Sequence, residues 1–352
     1  MAHPVGMTSP ELDRLAERFA RFGREAVATD SPLYSRLSEG IAEHPDVLAP
    51  MEGTREGTPM VFLAAVHDEL LRDPRHPLAE HYPDVTPEAL PEGDPWPVFA
   101  AFCAEHSDAL RATLEVRGTQ TNEVARCAGL LPCFATVADG RPLALIEVGA
   151  SAGLNLCWDR YAYDYAGTPA GAPASPLRIE CALRDGREPP LEGAPVASRV
   201  GVDLNPVDLG AAADVRWLHA CVWPDQPARH ARLDAAIAIA REDLPELRRG
   251  DALELLPGLI ADAPAEALVC VFHTAALAYF SRPQVARLEA ILNAAGRDVA
   301  WVGGESPGVV MGAPRAVGEG LHFQLTAGPP GALRVLGRMG HHGGWLEWPA
   351  QG

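Results

Sequence analysis

The chain is 352 residues long, with 47 acidic side chains against 29 basic ones and a formal charge of -18. That length accommodates one large domain, or a core domain with an accessory region, and buries a sizeable core. The acidic balance argues against nucleic acid or an anionic membrane as a partner, since both call for a basic surface.

At the start, "MAHPVGMTSPELDRL" lacks the basic flank and apolar core of a signal peptide, and no run approaches the roughly 20 apolar residues of a membrane span. A cytoplasmic protein acting on a small molecule is expected. Leu12, Leu15, Phe19 and Phe22 recur at steps of three and four, which predicts an amphipathic helix. In "DSPLYSRLSEGIAEHP", Ser31 is an N-cap with Pro32 at the first helical position. The segments "PMVFLAAVHDELLRD", "PVFAAFCAEHSDALRATLEV" and "TNEVARCAGLLPCFATVADG" predict three further helices, separated by Pro- and Gly-rich joints. Residues 1–140 therefore read as a helical cap.

From residue 141 the texture changes. The runs "LALIEVG", "SRVGVDL", "ELRRGDA", "ALVCVFH" and "DVAWVGG" are candidate strands alternating with helical stretches, which predicts a mostly parallel sheet in an α/β fold. At the end, "LHFQLTA" and "ALRVLGRMG" are separated by "GPPG", the spacing of an antiparallel hairpin at the sheet's edge. A Gly- and Pro-rich stretch near 162–197 reads as an inserted loop or hairpin over the site.

Residues 147–153, "EVGASAG", admit two readings. Gly149, Ser151 and Gly153 spell the G-x-S-x-G nucleophile elbow of serine hydrolases. With Glu147 included, the same letters describe an acid and a small-residue turn suited to a nucleoside cofactor. The elbow normally follows several earlier strands, one of which feeds an oxyanion loop, and here the first strand-like run carries the motif. The cofactor reading asks for polar groups at successive strand ends, and Glu147, Asp203, Asp251 and His273 supply them. An ionised carboxylate accepts both ribose hydroxyls, a role for Asp203, or for Glu180 if "PLRIECAL" is the second strand. Asp251 can approach the base edge, with the Ala252 backbone beside it and Asn205 following Asp203 in "GVDLNP".

The ordered set "EVGASAG", "GVDLNP", "GDALELLP" and "VFHTAALAYF" resembles the class I S-adenosylmethionine-dependent methyltransferases over about residues 143–348. That resemblance implies a Rossmann-like fold and S-adenosylmethionine as cofactor, held by Glu147, Gly149, Ser151, Gly153, Asp203, Asn205, Asp251, Ala252 and His273. Over the whole chain, "QTNEVAR", "GASAGLNL" and "DLNPVD" are similar to an uncharacterised bacterial family catalogued as a domain of unknown function. Methyl transfer to a small molecule is the simplest activity implied. Cyclase or lyase chemistry on the same cofactor, a non-catalytic nucleoside-binding protein and a Ser151 hydrolase are the alternatives.

Candidate catalytic residues are His273, as a general base, with Asn122 and Tyr279. Gln120, Asn122, Arg126 and Tyr163 are the candidate substrate contacts, Asn122 and Arg126 for a carboxylate and Tyr163, with Tyr165, for an aromatic wall beside a sulfonium. The alternative reading of "TNEVAR" is an ordinary helix cap by Thr121 or Asn122, with Glu123 in the first turn. The seven cysteines form no C-x-x-C pair and read as reduced core residues. His341 and His342 have no cysteine or carboxylate at ligand spacing, so no metal is expected and both read as surface histidines.

Overall fold

A computed structural model describes residues 9–28, 31–54, 57–89, 91–184, 188–310 and 322–348. The chain opens with five helices, α1 (Pro10–Ala28), α2 (Pro32–Glu43), α3 (Pro59–Arg72), α4 (Trp96–Glu105) and α5 (Ser107–Val116). A sixth, α6 (Cys127–Ala138), leads into β1 (Leu143–Val148), and then come β2 (Ala162–Tyr165), β3 (Thr168–Gly171), β4 (Arg178–Leu183) and β5 (Val196–Asp203). The chain continues through α7 (Ala212–Ala220), α8 (Pro227–Glu242), β6 (Glu246–Arg249), α9 (Ala252–Asp262), β7 (Leu268–Thr274), α10 (Arg282–Asn293) and β8 (Val299–Glu305). It ends on β9 (His322–Gly328), β10 (Arg334–Gly340) and β11 (Trp345–Glu347).

Two compact units result, and they do not follow a single cut at residue 140. The first contains residues 1–121 and 211–231, the second 122–210 and 232–352. The helical unit takes in α7 and the turn after it, whose Trp217 and Trp223 join Phe19, Tyr34, Phe62 and Phe99 in its core. Polar contacts hold the same piece: Arg216 pairs with Asp68, Arg117 with Asp214, and Trp217 Nε1 donates to the Gly118 carbonyl. His67, which carries no distinguishing mark in the sequence, is buried on α3 with Nε2 2.8 Å from Asp84 Oδ2 and Nδ1 3.2 Å from the Ala220 carbonyl oxygen. Helix α6 belongs with the sheet, since Gly129 lets it descend until a Cβ there would lie 2.4 Å from Met339 Sδ on β10.

The sheet of the second unit has the strand order β3-β2-β4-β11-β10-β9-β8-β7-β1-β5-β6. Its centre is parallel, and β1, β7 and β8 are buried along their whole length, as expected of strands covered on both faces. From β1 the chain steps to β5 and β6 on one side, then returns to β7 and β8 on the other. Between β1 and β7 the direction of winding reverses, which creates a crevice at the carboxyl ends of the strands. Strand β9 pairs antiparallel with β8 and β10 with β9, which forms the expected hairpin, but β11, β4, β2 and β3 continue the sheet beyond β10, so the hairpin lies within the sheet and not at its edge.

The inserted segment differs from expectation. A hairpin does form between β2 and β3, but with β4 it extends the sheet through β11 instead of lying over the crevice. Five strands separate β4 from β1, so Glu180, exposed on β4, is not at the second strand of the parallel core. That strand is β5, which ends at Asp203.

Candidate functional site

The turn after β1 is built from three left-handed residues, Gly149 (φ 74°), Ser151 (φ 52°) and Gly153 (φ 71°). Two of them also face close neighbours: a Cβ at Gly149 would lie 2.6 Å from Ala276 Cβ, and one at Gly153 2.9 Å from Pro245. A serine pays strain in this region of φ that glycine does not. Asp203 offsets it, because its Oδ2 accepts the Ser151 N–H at 2.8 Å while Oδ1 accepts the Asn205 N–H at 2.8 Å. One carboxylate thus ties the glycine turn to the turn after β5.

Glu147 is buried at the end of β1, with Oε1 accepting from Asn155 Nδ2 at 3.1 Å and Oε2 without a hydrogen-bond partner. Loss of solvent pushes its pKa up to about 8; Asp203 adds to the rise, while Asn155 and Arg126 oppose it. The carboxyl therefore holds its proton at neutral pH. Asn155 is itself fixed by Cys127, whose thiol reaches its Oδ1 at 3.4 Å. The Ser151 hydroxyl is also buried and without a hydrogen-bond partner, so no histidine among the described residues is placed to activate it as a nucleophile.

Asn122 does not cap the helix that follows it. Its Oδ1 accepts the Leu154 N–H at 3.3 Å, at the start of the 3₁₀ turn Leu154–Arg160 beyond the glycine motif. Glu123 takes the capping role, accepting the Ala125 N–H at 3.2 Å. Arg126 is buried, donates Nε to the His341 carbonyl at 3.0 Å and lies over the Phe323 ring. The loop holding His341 and His342 is seated on this segment through Gly343, where a Cβ would lie 2.1 Å from the Ala125 carbonyl oxygen. His341 is accordingly no free surface histidine: it stacks on Phe323, and burial, reinforced by Arg126, lowers its pKa to about 4. His342 Nδ1 lies 3.9 Å from Glu123 Oε2. Gln120 falls at the end of the helical unit.

His273 is correctly placed at the end of β7 but is not a base. Its Nε2 accepts the indole proton of Trp301 at 2.9 Å, so the ring proton sits on Nδ1, which faces Glu305 Oε1 at 2.8 Å. Both nitrogens are committed inside the core. Tyr163 also leaves the site, since it is buried with its hydroxyl donating to the Trp158 carbonyl, and Tyr165 likewise donates to Ala128. Tyr279 is 62 % exposed, on the short turn Leu277–Tyr279 after β7. Asp251 caps α9 by accepting the Leu253 N–H at 2.8 Å, and Ala252 is buried at the helix start. Asn205 is exposed and accepts from Arg249.

Asn155, Trp301 and Glu305 are the participants that sequence reasoning missed. Glu305 had a usable signal: it is the acid that ends "VAWVGGE", the same strand-end position held by Glu147 and Asp203.

A parallel centre wound about a switch point, with acids ending its strands around a glycine turn, defines a Rossmann-like α/β protein. Residues 16–348 match the model of the family described as an uncharacterized protein conserved in bacteria (DUF2332), and the chain belongs to that family. No curated protein matches it. No described helix is long and apolar enough to cross a membrane.

Proposed function

We propose that the chain is an S-adenosylmethionine-dependent enzyme acting on a small molecule, most simply by methyl transfer. The observation that carries this reading is the turn at the switch point. There, Glu147 Oε2 and Ser151 Oγ are buried polar atoms without hydrogen-bond partners, beside the carboxylate of Asp203. Buried polar atoms left unsatisfied are costly, and a polar ligand at this turn would satisfy them. Each Asp203 oxygen accepts one backbone N–H and keeps a second lone pair, enough for the two hydroxyls of a ribose. When bound, the cofactor would supply an electrophilic methyl group. The protein's part is alignment and exclusion of water, which accounts for much of the acceleration in such displacements.

Calorimetric titration with S-adenosylmethionine and S-adenosylhomocysteine tests the reading. Saturable binding of both is expected, weakened at least tenfold in Asp203→Asn. No heat from either ligand would reject it. Release of methylthioadenosine from S-adenosylmethionine without an acceptor would redirect the reaction to intramolecular displacement.

A further inference from the structure

The loop that follows β7 rests on one buried carboxylate. Glu305 Oε1 faces His273 Nδ1 at 2.8 Å and accepts the backbone N–H groups of Ala276 at 2.9 Å and Leu277 at 3.0 Å. Between strand and turn, Ala275 takes φ 53°, a conformation that a non-glycine residue holds only when its surroundings impose it. The Glu305 contacts impose it, and Trp301 fixes the proton of His273 so that the imidazole donates toward the carboxylate. The loop is therefore held in place from beneath. Ala276, pinned in this way, is the residue that meets Gly149 of the glycine turn.

Three residues further on, Tyr279 is exposed. Its backbone N–H donates to the Ala276 carbonyl at 3.1 Å, which ties the residue to the pinned part of the loop. A partly exposed aromatic ring on a fixed backbone offers a face with negative charge density, which attracts cations. Tyr279 follows β7, on the opposite side of β1 from β5 and β6, whose ends carry Asp203 and Asp251. A sulfonium nucleoside with its base toward Asp251 and its ribose toward Asp203 would extend its far end along the strand order toward the β7 side.

We infer that Tyr279 is the aromatic face that meets the positive centre of a sulfonium ligand, and that Glu305 is the positioning residue that fixes this face beside the glycine turn. The inference rests on the S-adenosylmethionine reading of the site. It replaces the role that the sequence offered to Tyr163 and Tyr165, whose hydroxyls and rings are spent in the core.

S-adenosylmethionine and S-adenosylhomocysteine differ in the methyl group and its charge, so their affinities measured side by side isolate the cation. Tyr279→Ala is expected to weaken S-adenosylmethionine binding by about three- to thirtyfold and S-adenosylhomocysteine binding by less than about twofold, with Tyr279→Phe retaining both. Glu305→Gln is expected to reduce S-adenosylmethionine affinity when Tyr279 is present and to add nothing in the Tyr279→Ala background. A general loss of structure would not show that coupling. Because Tyr279 is exposed, its variants decide the matter even if Glu305→Gln does not fold. Equal losses for the two ligands, or none for either, in Tyr279→Ala would overturn the inference and leave the site reading intact. Failure of the unsubstituted protein to bind either ligand would overturn both.

Discussion

His273 Nε2 accepts the indole N–H of Trp301 at 2.9 Å, inside the core between neighbouring strands. This one bond fixes which imidazole nitrogen carries the proton, and it turns a strand-end histidine from a potential base into a donor toward Glu305.

Replacing Trp301 by Phe removes the donor and leaves a buried acceptor unsatisfied. A loss of about 1–3 kcal/mol is expected from the hydrogen bond, with further loss from the smaller ring. Urea midpoints measure the stability. Nitrogen-15 spectra at neutral pH should show His273 protonated on Nδ1 before the substitution; a proton on Nε2 would refute the assignment.

Glu147 makes stability depend on pH in a defined direction. Its pKa rises from 4.5 to about 8 on folding, so the folded state binds the proton more tightly and the stabilisation is complete below pH 4.5. It is lost as pH rises toward 8, at a limiting slope of about 1.4 kcal/mol per pH unit. Glu147→Gln should flatten this part of the profile and gain stability relative to the parent at pH 8, as read by denaturant melts at several pH values.

At Ser151 the left-handed backbone and the unsatisfied hydroxyl both favour glycine. Ser151→Gly is expected to stabilise the fold by about 1 kcal/mol, whereas the β-branched Ser151→Val should destabilise it by about 2 kcal/mol or more. Thermal melts of the pair settle the sign of each. A serine nucleophile predicts labelling by a fluorophosphonate probe, and none is expected.

His230, in the helical unit, gives the opposite acid response. Burial lowers its pKa from 6.5 to about 4, against the pull of Asp84, so the unfolded chain binds more protons in that window. Stability of this unit should fall as pH drops from 6.5 toward 4 and the slope should lessen in His230→Asn, followed by hydrogen exchange of α3 and α7 amides.

Gly343→Ala should dislodge the loop that carries His341 and His342, because its Cβ would strike the Ala125 carbonyl and its φ of 69° is left-handed. A loss of about 2 kcal/mol or more is expected in urea melts. Histidine spectra should show the His341 pKa returning upward from about 4 as its ring leaves Phe323.

Local pattern reached far into this protein. The periodicity of "LDRLAERF" placed α1, the apolar runs placed β1, β5, β7 and β8, and "GPPG" marked the β9–β10 hairpin, since each signal arises from burial of a repeating face. Asp203 was identifiable as a strand-end acid. That its two oxygens are bound to backbone amides of different turns was not, because Ser151 lies 52 positions away. The reading of His273 failed for a related reason: Trp301 is 28 residues distant and lies on the adjacent strand.

By itself, the sequence determined the alternation of elements, the glycine turn with its acids and the net negative charge, all properties of short windows or of composition. Only the tertiary structure decided that "RIECAL" extends the far edge of the sheet, that Asn122 serves the glycine turn instead of its own helix, and which imidazole nitrogen of His273 is protonated. Those outcomes depend on partners brought together by strand order and close packing, and no local pattern encodes which distant donor or acceptor will arrive.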